Sequence, residues 1–270
     1  MEKETEKMHK GDTVNVLDHG YIRLLDYLGD DQFLADTARV STQSQGKSLG
    51  LVTRLVADRH TSPLEFGIVQ FEIKAPLFVF REWHRHRTQS YSEQSARFGE
   101  LPMDFYTPSL ERMNPQHETN KQMSDERQML LDASTARNCW TRVLDDCKEL
   151  VSNYRGMFPL TRELSQRLYP QNRYTVCRAS ANLWNWMAFL KLRCAPDAQY
   201  EIRRYAWVIE QILKELFPVA MEAWEEHIFY ATTFSRRETA YLRELVGSPA
   251  AIDEEDKKVW QSIQTKLNLS

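Results

Sequence analysis

Between Gly67 and Arg97 the sequence changes character twice, and this stretch constrains the fold more than any other. From Gly67 to Lys74, Val69, Phe71 and Ile73 alternate with Gln70, Glu72 and Lys74, the two-residue period of a strand with one buried face. Ala75 to Phe80 is apolar throughout, so the chain is expected to emerge from a core there. From Arg81 to Arg97 stand Arg81, Glu82, His84, Arg85, His86, Arg87, Ser90, Ser92, Glu93, Ser95 and Arg97, with hardly an apolar residue besides Trp83 and Tyr91. A scaffold that carries so polar a segment out of its core is presenting a site.

Around that segment the pattern is mostly helical. Gln32 to Val40 and Ser48 to Arg59 have helical apolar spacing, the second through Leu51, Val52, Leu55 and Val56, and the turn His60-Thr61-Ser62-Pro63 stops it. The residues before Gln32 read as a frayed terminus. Leu110 to Ser124 is polar and contains Asn114-Pro115, which predicts a long surface loop of the kind that serves as a lid. Helices are expected over Met129 to Tyr154, Ser180 to Arg193 and Asp197 to Trp224, the last repeating Ile202, Tyr205, Ile209, Ile212, Leu213 and Leu216. No repeat and no Pro-, Gly- or Ser-rich linker divides the chain. Residues 1–227 are therefore expected to form one domain, and residues 228–270 a charged helical extension with helices near Arg236 to Leu245 and Glu254 to Leu267.

Composition excludes several classes. With 270 residues, 42% of them hydrophobic, the chain can bury a core without staples. A formal net charge of -3 gives no general attraction to nucleic acid or anionic membrane, so any polyanion site must be local. No apolar run is long enough to span a bilayer. The opening Met-Glu-Lys-Glu-Thr-Glu-Lys has neither the apolar core of a secretory signal nor the character of a transit peptide, and a cytoplasmic location is expected. Cys139, Cys147, Cys177 and Cys194 form no CxxC pair or zinc-ligand set and read as reduced and structural.

Three arginines and two histidines fall between Arg81 and Arg87. A solvated face with ion pairs is the ordinary explanation of a basic run, but the apolar segment feeding this one favours a site. Arginine forks neutralise a diphosphate through bidentate hydrogen bonds, which suits a nucleotide or dinucleotide. Glu93 and the neighbouring serines can then orient a base or ribose. His84 and His86 are poor metal ligands here, because the flanking arginines repel a cation and no carboxylate pair completes the set.

Arg85-His86-Arg87, followed through Thr88-Gln89-Ser90-Tyr91-Ser92-Glu93-Gln94 by Ser95-Ala96-Arg97, resembles the signature of the flavin-dependent thymidylate synthases. Four further segments resemble that family in the same order: Ala38 to Ser41, His60 to Glu65, Asn120 to Gln122, and Leu192-Arg193 with Ala198 to Ile202. The resemblance implies an α+β fold, a mixed β-sheet flanked by helices, and a homotetramer. It also implies FAD as cofactor, NADPH as reductant and methylenetetrahydrofolate as carbon donor, for methylation of C5 of the uracil of dUMP with no protein nucleophile. By matching position it places Ser41, His60, Ser62, Glu65, Arg85, His86, Arg87, Glu93, Asn182 and Ala188 against the cofactor. The substrate falls to Glu82, His84, Arg85, Glu93, Gln94, Ser95, Ala96, Arg97, Gln166 and Arg193, with Arg193 as the catalytic residue beside the pyrimidine. A histidine before a turn, like His60, is otherwise often a helix terminator.

The departures from the family pattern gather around the substrate. Glu82 replaces a glutamine, Ser92 an asparagine and Gln166 a phosphate-binding arginine, with Arg167 one position along; Trp184, Ala188 and Asp197 also replace residues that surround the flavin or substrate. Two chemistries stay open at this point: methylation of dUMP, or the same or another one-carbon modification of UMP or a related uridine nucleotide. A nucleic-acid-binding module that uses the basic cluster is also compatible with these residues, as is an inactive relative that binds flavin.

Overall fold

The computed structural model of the chain describes residues 8–41, 43 and 49–246. Two compact units divide it, Met1–Phe229 and Tyr230–Ser270. The first is built on five strands: β1 Thr13–Val16, β2 Gly20–Leu28, β3 Ile68–Pro76, β4 Ser90–Glu93 and β5 Tyr174–Asn182, in the order β1-β2-β3-β5-β4. The expected α+β class is the one observed, with one refinement: the sheet, expected as mixed, is antiparallel at each described pairing.

The alternation in β3 works as its sequence requires. Val69, Phe71, Ile73 and Ala75 are fully buried and share a face with Ile22 and Leu24 of β2 and Cys177, Ala179 and Ala181 of β5. On the other face Glu72 lies between Arg23 and Arg178 and accepts hydrogen bonds from Arg23 Nη1 at 2.9 Å, Tyr21 Oη at 3.1 Å and Arg178 Nε at 3.0 Å. A register shift between Leu24 and Asp26 sets Tyr27 opposite Val69, so that its ring joins the core.

Helices cover the apolar face. They are α1 Asp31–Arg39, α2 Gly50–Ala57, α3 Leu77–Trp83, α6 Leu183–Arg193, α7 Tyr200–Leu216 and α8 Pro218–Trp224, while α4 Ala133–Met157 and the single turn α5 Arg162–Ser165 contribute no side chain to the core cluster there. A 3₁₀ turn at Ser62–Phe66 follows α2, and a π-turn at Glu225–Phe229 follows α8. The indole of Trp186 stands edge-on to Phe71 at 5.1 Å and donates to the Val69 carbonyl at 3.1 Å, which locks α6 onto β3. In the second unit the described element is α9, Arg236–Val246; the helix expected near Glu254 to Leu267 lies outside the described residues, as does Ser48.

Three expectations are corrected. Among the described residues before Gln32 the chain is not frayed, since β1 and β2 lie there and Ile22 and Leu24 are core residues. Ser180 to Asn182 are strand rather than helix: Asn182 Oδ1 accepts from Asn185 N at 2.8 Å, and this cap starts α6 at Leu183. The helix expected from Asp197 to Trp224 is two helices. Pro218 begins the second, and the buried carboxylate of Asp31 accepts from Val219 N at 2.8 Å and Ala220 N at 3.0 Å, satisfying its first amides. The loop over Leu110 to Ser124 is present, with one 3₁₀ turn at Leu110–Arg112. It is tied down by Arg112, whose Nε donates to the buried Glu201 carboxylate at 2.9 Å.

Asp31 thus joins α1 to α8. Asp31→Ala is expected to lower unfolding free energy by about 1 to 2 kcal/mol, read as a lower urea midpoint with an unchanged denaturant slope; an unchanged midpoint would deny the cap its role.

Candidate active site

Pro76 ends β3, and the Leu77 and Phe78 amides donate to the carbonyls of Arg173 at 2.9 Å and Gln171 at 3.1 Å, which fixes the direction of α3. Val79, Phe80 and Trp83 face the core, so Arg81 and Glu82 fall on the opposite side. The segment after α3 folds around the two residues that break its polarity. Trp83 Nε1 donates to Gln89 Oε1 at 3.1 Å, and the Tyr91 hydroxyl lies 2.8 Å from the His86 carbonyl, 3.2 Å from the Trp83 carbonyl and 3.2 Å from Gln89 Oε1. Burial pushes the Tyr91 phenol up, so it stays a donor. Around this hub Arg85 and Arg87 are exposed, and among the described residues neither guanidinium has a hydrogen bond or ion pair within the chain. His84 turns inward: its ring stacks on Phe80 at 5.6 Å and meets Tyr91 edge-on at 4.7 Å, with Nε2 buried and unpartnered among the described residues.

The last residue of α6 closes on this turn. Arg193 Nε donates to His86 Nε2 at 2.9 Å, Nη1 to Glu82 Oε2 at 3.1 Å and Nη2 to the Glu82 carbonyl at 3.0 Å. Its side chain is 15% exposed against 47% for Glu82, so the guanidinium forms the wall and the carboxylate the rim. His86 must be neutral to accept at Nε2. Burial first, and the Arg193 charge second, hold its pKa down at about 4. Phe189 packs against the imidazole at 4.8 Å and fixes the ring.

The remaining residues named from the sequence are spread more widely. Glu93, at the end of β4, is exposed opposite Cys177. Gln94 Nε2 donates to the Glu100 carbonyl at 3.2 Å, and the Arg97 amide donates to Ser95 Oγ at 3.3 Å beside the half-buried Ala96. Arg97 Nε lies 3.4 Å from Glu163 in an exposed pair that an anion can displace at little cost. Gln166 is buried and accepts from Arg173 Nη1, whereas Arg167 is exposed. Ser41, His60, Ser62 and Glu65 are exposed, with Ser41 Oγ donating to the Ala38 carbonyl at 2.9 Å and Thr61 Oγ1 to Glu65 Oε1 at 3.0 Å.

Ala188 lines a cavity of about 240 Å³ with Arg59, Trp184, Met187, Lys191, Leu192, Trp224 and Ile228. Along α6, Trp184, Ala188 and Lys191 share one side, while Asn185, Phe189 and Arg193 share the side facing Thr88 and His86. One helix thus divides the expected cofactor residues into two groups. Sequence reasoning missed the hub of Trp83, Gln89 and Tyr91 and the cations Arg59 and Lys191. Two aromatics stranded in a polar run were the one signal of the hub. Burial pushes the Cys177 thiol up to about 12 and Cys194 up as well, which leaves both as thiols. Among the described residues no group of three or more His, Cys, Asp or Glu side chains could hold a metal, and no helix is long and apolar enough to cross a membrane.

Residues 23–219 match the family described as thymidylate synthase complementing protein, Thy1. The flavin-dependent thymidylate synthase of Thermus thermophilus is 40% identical over 240 residues, spanning 87% of this chain and 86% of that protein. That of Rickettsia bellii is 34% identical over 276 residues, spanning 94% and 92%. Among solved structures, the UMP/dUMP methylase PolB of Streptomyces cacaoi, bound with 5-Br dUMP or with 5-Br UMP, has a TM-score of 0.70 and 28% identity over 79% of this chain and 97% of that one.

Because its folded pKa lies below that of a free imidazole, His86 gives stability that is complete above the free value of 6.5 and drains away as pH falls toward about 4. At pH 5 the loss is up to about 2 kcal/mol. Denaturation of His86→Gln is expected to depend less on pH between 7 and 5 than that of the unsubstituted protein; equal slopes would contradict a buried neutral imidazole.

Proposed function

The chain belongs to the flavin-dependent thymidylate synthase family, and from that membership we propose that it methylates C5 of the uracil ring of dUMP, using FAD, NADPH as reductant and methylenetetrahydrofolate as carbon donor. It is an enzyme of the methyltransferase-like class. The observation that carries the finer reading is the Arg193 guanidinium, held by three hydrogen bonds beside a neutral His86, whose sequence neighbours Arg85 and Arg87 are exposed.

The residues fit the cofactor. Arg85 and Arg87 are guanidinium groups without internal partners, the donors that a dinucleotide's diphosphate requires. The cavity beside Ala188 is apolar, with Arg59 and Lys191 among its lining, and can take a flat ring system. When bound, the flavin supplies the reducing equivalents of the methylation, so the protein's share is placement and charge. Arg193 keeps a fixed cation where negative charge appears on the pyrimidine, and this needs no rearrangement because its partners already hold it. Ser95 and Arg97 are assigned to the substrate phosphate, Arg97 exchanging Glu163 for it. Buried Gln166 is committed to Arg173, which leaves the exposed Arg167 as the cation of that segment. The homotetramer belongs to the same proposal, since one chain places Arg193 and the Ala188 cavity on different sides of α6.

A second reading, UMP as substrate, is favoured by Glu82 in place of a glutamine and by the likeness to a UMP/dUMP methylase. Purified protein with FAD, NADPH and methylenetetrahydrofolate is expected to turn over dUMP; turnover of UMP with none of dUMP would reverse the preference. Arg87→Ala is expected to purify colourless. Arg193→Ala is expected to stay yellow while turnover falls by about a hundredfold or more, and loss of flavin from it would contradict the role given to Arg193. Arg97→Ala is expected to raise the substrate KM with flavin retained.

A further inference from the structure

Tyr91 reaches under the basic turn from a strand whose other side chains face outward. In β4 it lies opposite Ala179 of β5 and packs against the core, while Ser90 and Ser92 are exposed. Its ring stands edge-on to His84 at 4.7 Å. The phenol has one hydrogen and lies 2.8 Å from the His86 carbonyl, against 3.2 Å from the Trp83 carbonyl and from Gln89 Oε1, so the His86 carbonyl takes the bond. Gln89 Oε1 is already committed to the indole N–H of Trp83, which is a donor only. The His86 carbonyl opens the planar peptide unit that ends at Arg87 Cα. Fixing that oxygen fixes the plane, and with it the direction in which the chain runs from His86 to Arg87. The rest of the turn is tied as well: His86 N donates to the Trp83 carbonyl at 3.0 Å, and the Thr88 carbonyl accepts from Asn185 Nδ2 at 3.3 Å. Arg85 and Arg87 are thus exposed side chains on a main chain anchored from beneath, and their guanidinium groups have no partner among the described residues.

We propose that Tyr91 is a positioning residue, whose hydroxyl holds the His86 carbonyl so that Arg85 and Arg87 are aimed before a dinucleotide diphosphate arrives. The proposal rests on the reading of Arg85 and Arg87 as the diphosphate ligands of FAD. An anchor on the main chain leaves every guanidinium N–H free for the anion, which an ion pair with a neighbouring carboxylate would not. Without the hydroxyl the same two cations remain, but the turn that carries them has to be ordered on binding, and that ordering weakens the complex. Tyr91 lies four residues beyond Arg87 and is turned inward, so it acts on the anion only through the turn.

The test is equilibrium binding of FAD to the full-length protein freed of flavin, and to its Tyr91→Phe and Gln89→Leu variants, at about 0.05 M and about 1 M salt. Urea midpoints report that each variant is folded under the conditions of the measurement. Tyr91→Phe removes one oxygen and keeps the ring. At low salt it is expected to bind FAD about tenfold more weakly than the unsubstituted protein. At high salt, where attraction between guanidinium and phosphate is screened, the difference is expected to shrink to about threefold or less. An unchanged affinity at low salt overturns the inference. Equal weakening at both salt concentrations overturns it as well, because a general loosening of the fold is blind to the charge of the ligand. Gln89→Leu takes the acceptor from Trp83 but leaves the bond between Tyr91 and His86, and is expected to weaken FAD binding less than Tyr91→Phe does. The reverse order assigns the aim of the turn to Gln89 and ends the role given to Tyr91. Failure of the unsubstituted protein to bind FAD removes the flavin reading itself, and this proposal with it.

Discussion

The antiparallel pairing of β3 with β5, from Ile68 opposite Asn182 to Pro76 opposite Tyr174, is the constraint on which everything at the candidate site depends. Because the strands run in opposite directions, the helices that follow them start at opposite ends of the pair. Both return along the same apolar face. Trp186 seats α6 on Phe71, Phe189 meets Trp83 of α3 at 4.7 Å, and the last residue of α6 arrives at Glu82 and His86. A one-residue slip of either strand would turn its apolar set away from the helices, and Arg193 would lose its neighbours.

The contacts that hold Arg193 serve placement more than stability. Glu82 is half exposed, and an ion pair in that setting contributes little net free energy. Direction comes from having three acceptors on one guanidinium, two of them on the same residue. The neutral imidazole matters for the same reason: a protonated His86 would offer Arg193 a hydrogen and a like charge in place of a lone pair. Burial keeps it neutral, and so an acceptor, near neutral pH. Arg85 and Arg87, close by along the chain, have the opposite design, being exposed with no side-chain partner among the described residues. The cluster therefore separates one cation fixed by the protein from two that remain available to an anion.

How much was legible in the sequence depended on how local the signal was. The β3 strand could be read because one face alternates strictly over a core. The Arg85 to Arg97 signature could be read because it is contiguous. In β5 the inward residues Ala179 and Ala181 are small and helix-favouring, so the strand merged with the helix after it until the Asn182 cap marked the boundary. The break between α7 and α8 rests on Pro218 together with Asp31, which is 187 residues away along the chain from Pro218, and no local window contains both. That Gln166, assigned to the substrate by matching position, is buried and accepts from Arg173 seven residues on is visible only in the fold.

The sequence by itself determined the strand that feeds the site, the position and charge of the basic cluster, and the family to which such a signature belongs, because each is written in neighbouring residues whose side chains act through periodicity and charge. Only the tertiary structure decided that His84 turns inward while Arg85 and Arg87 turn outward, that His86 is an acceptor rather than a cation, and that Arg193 reaches Glu82 across 111 residues of chain. Those outcomes follow from burial and from contacts between distant segments, and neither exists until the sheet has brought α3 and α6 onto the same face.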